Sequence, residues 1–155
     1  MTAENAPAHL ADANSAAYRR LLEEGPNRRD LAAIDDLVAP GFVGHWLFNA
    51  PPLEGRAAFR AWLTSSITAF PDWRMTLDDI LAADDKVVAR WTVQGTETGE
   101  RRSPVGEAQP GSGNSLTVRG IHIARFAEGQ LVELWHSQDL LSTYQQLGLL
   151  PEIAH

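Results

Sequence analysis

Apolar residues recur at helical spacing in the first half of the chain and at alternate positions in the second. Ala16, Tyr18, Leu21 and Leu22 follow a helical period up to Gly25-Pro26, which stops the helix. Asp30 predicts the N-cap of a short second helix, Leu31 to Val38, with Leu31, Ile34, Leu37 and Val38 on one face before Pro40-Gly41 ends it. Gly55-Arg56 opens a third segment in which Phe59, Trp62, Leu63, Ile67 and Phe70 fall at i, i+3, i+4, i+8 and i+11. That is an amphipathic helix, closed by Pro71.

Beyond this point the period becomes two. Trp73 to Leu81 and Lys86 to Gly95, joined by Ala83-Asp-Asp, read as an antiparallel pair. Residues 99–114 carry four of the twelve glycines and two of the nine prolines and read as a long loop, a lid or a disordered segment bordering a cavity. Ser115 to Phe126 and Gln130 to Gln138 complete the sheet, and Leu140 to Leu147 is a closing helix ended by Gly148. Helices followed by a meandering sheet make an α+β architecture. Residues 1–13, small and alanine-rich, read as a loose leader, and 14–155 as one domain.

Composition narrows the chemistry. The chain has 155 residues with a single core expected, and its net charge of −7 argues against a phosphate-binding surface, so nucleic acid is not an expected partner. With no cysteine there is no disulfide, thiolate nucleophile or zinc-thiolate site. No apolar run approaches the ~18 residues of a membrane span, and no signal peptide pattern opens the chain, so a cytoplasmic protein without a membrane partner is expected.

The last forty residues bring titratable groups together. Glu128-Gly129 predicts a tight hairpin, placing His122 on one strand near His136 and Asp139 on the other. Val118, Gly120, His122, Ala124 and Phe126 share a face; Leu134, His136 and Gln138 alternate with Glu133, Trp135, Ser137 and Asp139. A two-residue turn pairs His122 with Trp135, whereas a three-residue turn with a Gly129 bulge pairs it with Leu134 and brings His136 to its side; the bulged turn is the preferred reading. Each group also has a structural role open to it. His122 suits a hydrogen-bonded core position, and Asp139, just before Leu140-Leu-Ser-Thr, suits a helix N-cap. Trp46, Trp62, Trp91, Trp135 and Phe126 suit core packing or an apolar cavity wall.

At these residues the chain resembles the SnoaL-like polyketide cyclases, or ester cyclases. The similarity lies in His122-Ile-Ala-Arg-Phe-Ala-Glu-Gly-Gln-Leu, Trp135-His-Ser-Gln-Asp and Tyr144-Gln-Gln-Leu-Gly, and in the helical stretches Asn27 to Phe42 and Gly55 to Leu63. The resemblance implies a nuclear-transport-factor-2-like cone, a curved, mostly antiparallel sheet wrapped round N-terminal helices with a pocket at the wide end, and a homo-oligomer, dimer or tetramer. It also implies a pocket histidine at His122, while the family's acid-base aspartate falls on His136. Asp139 matches a second family carboxylate, and polar pocket positions of the family fall on Gly120 and on Gly44, next to His45.

The reading that follows is a cofactor-free acid-base enzyme acting on a small apolar carbonyl compound by aldol-type cyclisation or related proton transfer. His136 or Asp139 is the expected base, and His122 and His45 the expected donors. Trp46, Trp62, Trp91, Trp135 and Phe126 are the expected substrate-binding residues. No cofactor and no metal are expected, since no His-x-His or His-x-x-x-His spacing occurs. An isomerase, dehydratase or epoxide hydrolase on the same fold, or a non-catalytic small-ligand module, would use the same residues.

Overall fold

The computed structural model describes residues 6–46, 51–102 and 107–151. Positions 1–5 of the expected leader and 103–106 of the expected loop lie outside them. The described chain runs α1 (Ala6–Leu22), α2 (Ala32–Leu37), β1 (Val38–Trp46), β2 (Leu53–Glu54), α3 (Arg56–Ala69), β3 (Arg74–Ala83), β4 (Lys86–Thr96), β5 (Arg101–Arg102), β6 (Ala108–Gln109), β7 (Ser115–Ala127), β8 (Gln130–Gln138) and α4 (Leu140–Gln146). A six-stranded curved sheet in the order β2-β1-β8-β7-β4-β3 packs its inner face on the helices. This is the expected α+β cone.

Three expectations need correction. Residues 6–13 are not a loose leader but the first turns of α1, because their alanines and Leu10 favour a helix continuous with the turns that bury Asn14, Tyr18 and Leu21. Val38 does not end a helix; it begins β1, which pairs parallel with β8 and bulges across the Pro40-Gly41 segment between Val38 and Val43. Within 99–114, Arg101–Arg102 and Ala108–Gln109 form a short antiparallel ladder, and buried Glu97 accepts the Ser112 N–H at 3.0 Å.

The hairpin register differs from both expected alternatives. The turn is a two-residue one, Ala127 facing Gln130 across Glu128 and Gly129, both left-handed with φ of 51° and 77°. A bulge then follows in β8: Arg125 faces Glu133 while Phe126 faces Leu131, leaving Val132 extra. The one-residue shift sets His122 directly opposite His136. Three neighbouring residue pairings complete the inner face. Ala89 of β4 faces His122 and Trp91 faces Gly120, while Trp46 of β1 lies beside His136.

Candidate active site

Between the inner sheet face and helices α1, α3 and α4 lies a cavity of about 310 Å³. Its walls include Trp46, Phe59, Trp62, Phe70, Trp73 and Trp91, with aliphatic side chains filling the gaps. The polar lining consists of Tyr18, Ser66, His122, His136, Gln138, Thr143 and Tyr144. No lysine, arginine or carboxylate lines it among the described residues. A cavity of this kind favours a neutral, apolar guest oriented by a few hydrogen bonds.

Strand alternation puts His122 and His136 on the inner face, each only 6% exposed. A continuous chain of hydrogen bonds passes through them. Tyr18 Oη lies 2.7 Å from His122 Nδ1, His122 Nε2 lies 2.8 Å from His136 Nδ1, and His136 Nε2 lies 3.1 Å from Gln138 Oε1. All four ring nitrogens are engaged. Only His136 Nε2 has a partner on a half-buried side chain, Gln138, which a ligand can displace.

Burial dominates the electrostatics of the pair. It holds His122 well below the usual imidazole range, with the neighbouring His136 adding to the effect. Burial also lowers His136 to about 4, against the opposing pull of its hydrogen bond with Gln138. Burial pushes the Tyr18 hydroxyl far up, so it stays a phenol. At neutral pH the whole chain is therefore uncharged. Indoles flank His136, Trp46 stacked at 5.4 Å and 21° and Trp91 at 5.4 Å and 30°.

Two glycines make room for those indoles. A β-carbon on Gly120 would collide with the Trp91 ring and the Ser137 carbonyl, and one on Gly44 would collide with the Trp46 ring. Where the resemblance places polar pocket side chains, this chain instead lays tryptophan over bare backbone.

Four expected site residues lie elsewhere. His45 has the opposite strand parity to Trp46, so it faces outward, where its Nε2 meets Glu133 at 2.9 Å. Trp135 stacks on it at 5.4 Å on the same outer surface. Asp139 follows the end of β8 and is spent on α4: its carboxylate accepts the Ser142 N–H at 3.0 Å, in the N-cap role. It is exposed and reaches neither imidazole. Phe126 is 3% exposed but packs in the core rather than lining the cavity.

Tyr18 and Gln138 were missed as site residues. A tyrosine on an otherwise apolar helical stripe was their one available signal, because a buried hydroxyl needs a partner. Among the described residues no group of three histidine or acidic side chains is placed to hold a metal ion. No helix among them is long and apolar enough to cross a membrane.

The SnoaL-like polyketide cyclase family model matches residues 16–147. Among solved structures, a candidate SnoaL-like polyketide cyclase from Jannaschia sp. CCS1 is 21% identical with a TM-score of 0.80, over 92% of this chain and 96% of the other. TsrD from Streptomyces laurentii is 26% identical with a TM-score of 0.75, over 90% and 97%. AclR, a candidate hydroxylase from Streptomyces galilaeus, is 24% identical with a TM-score of 0.75, over 93% and 86%. A comparison with curated proteins gives no match.

Proposed function

The chain belongs to the SnoaL-like polyketide cyclase family, and from that premise we propose that the cavity carries out cofactor-free acid-base catalysis on a small, neutral, apolar carbonyl compound. The reaction is an aldol-type cyclisation or a related proton transfer. One observation carries the reading: two neutral, directly hydrogen-bonded imidazoles stand in the wall of an apolar cavity that no described lysine, arginine or carboxylate lines.

His136 Nε2 is the working atom. With its lone pair free it accepts a proton from the carbon alpha to the carbonyl, and the C–H electron pair becomes the enolate. The enolate carbon attacks a second carbonyl, a carbon-carbon bond forms, and the new alkoxide takes the proton back from His136. Burial weakens this base at rest, but the enolate formed in the same step is an opposite charge within reach. The Trp46 and Trp91 faces also favour a transient imidazolium.

The test is deuterium incorporation from heavy water into the alpha positions of 2-tetralone, a neutral bicyclic ketone. Wild-type protein should accelerate exchange, His136→Gln and His122→Gln should each lose roughly 10²-fold or more, and chelators should change nothing. Exchange no faster than in buffer, or undiminished in the double variant, sinks the proposal.

We also infer a homo-oligomer, dimer or tetramer, paired through the outer sheet face. Val88, Ile121, Ile123 and Trp135 are exposed there, a row of apolar side chains unusual for a free surface. Sedimentation should give a mass above the monomer for the wild type and a smaller species for Ile121→Asp/Ile123→Asp. Identical sedimentation of the two would refute this pairing.

A further inference from the structure

The hydrogen-bonded chain through the two imidazoles has a direction, and its buried end sets it. Every link is ambiguous when taken alone, since each histidine can carry its proton on either nitrogen and the Gln138 amide offers an acceptor or a donor by turning over. Taken together, the links allow two arrangements. In one, Tyr18 donates to His122 Nδ1, His122 Nε2–H donates to His136 Nδ1, and His136 Nε2–H donates to Gln138 Oε1. In the other, every proton sits one link nearer the helix, and His122 Nδ1–H donates to the Tyr18 oxygen.

Only the first arrangement satisfies Tyr18. Its side chain is 1% exposed, and His122 Nδ1 is its one hydrogen-bond partner among the described residues. In the second arrangement the phenol accepts from His122, and its own proton is left without a protein acceptor at a buried position. Buried hydroxyl protons are rarely left so. Gln138 gives no opposing preference, because its amide serves either direction equally.

We propose that Tyr18 is a positioning residue that fixes both histidines as Nε2–H tautomers, so that the resting site presents His136 Nε2–H, a hydrogen-bond donor, to whatever displaces Gln138. An incoming carbonyl oxygen fits this donor, whereas an alcohol or phenol hydrogen finds no acceptor there. The first contact with a ketone therefore polarises its C=O bond. The base form, with a lone pair at His136 Nε2, is reached only when both ring protons shift toward α1 and the Tyr18 hydroxyl turns away. Tyr18 thus sets the balance between acid and base without touching the reacting atoms.

This assignment deepens the acid-base reading and rests on it for its catalytic meaning, but its test needs no turnover. Protein labelled with ¹⁵N-histidine is examined at pH 7 by long-range ¹H–¹⁵N correlation, in which protonated and unprotonated ring nitrogens are distinct. Single histidine substitutions assign the signals. The wild type should hold His122 and His136 as Nε2–H by about tenfold or more over the other tautomer, and Tyr18→Phe should bring up Nδ1–H forms at both rings. Nδ1–H as the main form of either ring in the wild type overturns the proposal, whatever the variant does. So does a Tyr18→Phe spectrum with unchanged tautomers. If the tautomers are as expected while 2-tetralone exchange is absent, the Tyr18 assignment stands and the catalytic reading falls.

Discussion

Stability should fall steeply as the pH is lowered from about 6.5 to about 4. In the unfolded chain a histidine takes up a proton near 6.5, whereas folded His136 does so only near 4. Between those values the unfolded state binds a proton that the folded state refuses, so each step down in pH favours unfolding. The contribution is complete above about pH 6.5 and lost by about pH 4. At roughly 1.4 kcal/mol per unit, His136 alone accounts for about 3 kcal/mol, and His122, held well below its ordinary value, adds in the same direction. A typical domain has only about 5–15 kcal/mol in total. The carboxylates held low in the fold, Glu133 and Asp72, add their losses mainly below about pH 5, so the upper part of the window belongs to the histidines. Urea unfolding at half-unit steps of pH checks this. His122→Leu/His136→Leu should show a much shallower fall between pH 6.5 and 5, and an equal slope in the two proteins would refute the buried, neutral pair.

Gly120→Ala should destabilise the protein by about 1–3 kcal/mol, although it adds one methyl group. Alanine on a central strand is ordinarily tolerable. Here the new carbon would enter space held on one side by the Trp91 ring and on the other by the Ser137 carbonyl of the neighbouring strand. A ring can move, but a carbonyl within the β7–β8 ladder moves only with its strand. Relief therefore falls mainly on Trp91, which shifts off His136 and into the cavity. The variant should unfold at lower denaturant and lose near-ultraviolet circular dichroism from the indole. Wild-type stability with an unaltered spectrum would mean that Trp91 does not lie across Gly120.

Much of the fold was readable because its periods are clean. The β7–β8 hairpin was marked by alternation and by Glu128-Gly129, and α3 by Phe59, Trp62, Leu63 and Ile67. Strand β1 was not readable. Pro40, Gly41 and Gly44 punctuate it as a loop would be, and its partner β8 is remote in sequence, so no local pattern announces the pairing. At the site, parity and a one-residue bulge were enough to face His122 and His136 inward, yet the bulge lay at Val132 rather than at the turn, so neither expected partner of His122 was right. Asp139 illustrates a different limit. One residue type serves as acid-base group or helix cap, and the choice depended on where β8 stopped. For Tyr18, helical spacing told of burial but not of what the hydroxyl would meet 104 positions away.

The parallel pairing of β1 with β8 also governs when the molecule can become whole. Strands β3, β4, β7 and β8 follow one another as antiparallel neighbours and can assemble as the chain emerges, whereas β1, made early, waits for the last strand before its ladder can form. Until then Phe42 and Trp46 have no sheet to cover, and α3 has no floor beneath Phe59 and Trp62. Two strands remote in sequence thus meet beside the histidines, and the cavity wall is among the last parts of the structure to close.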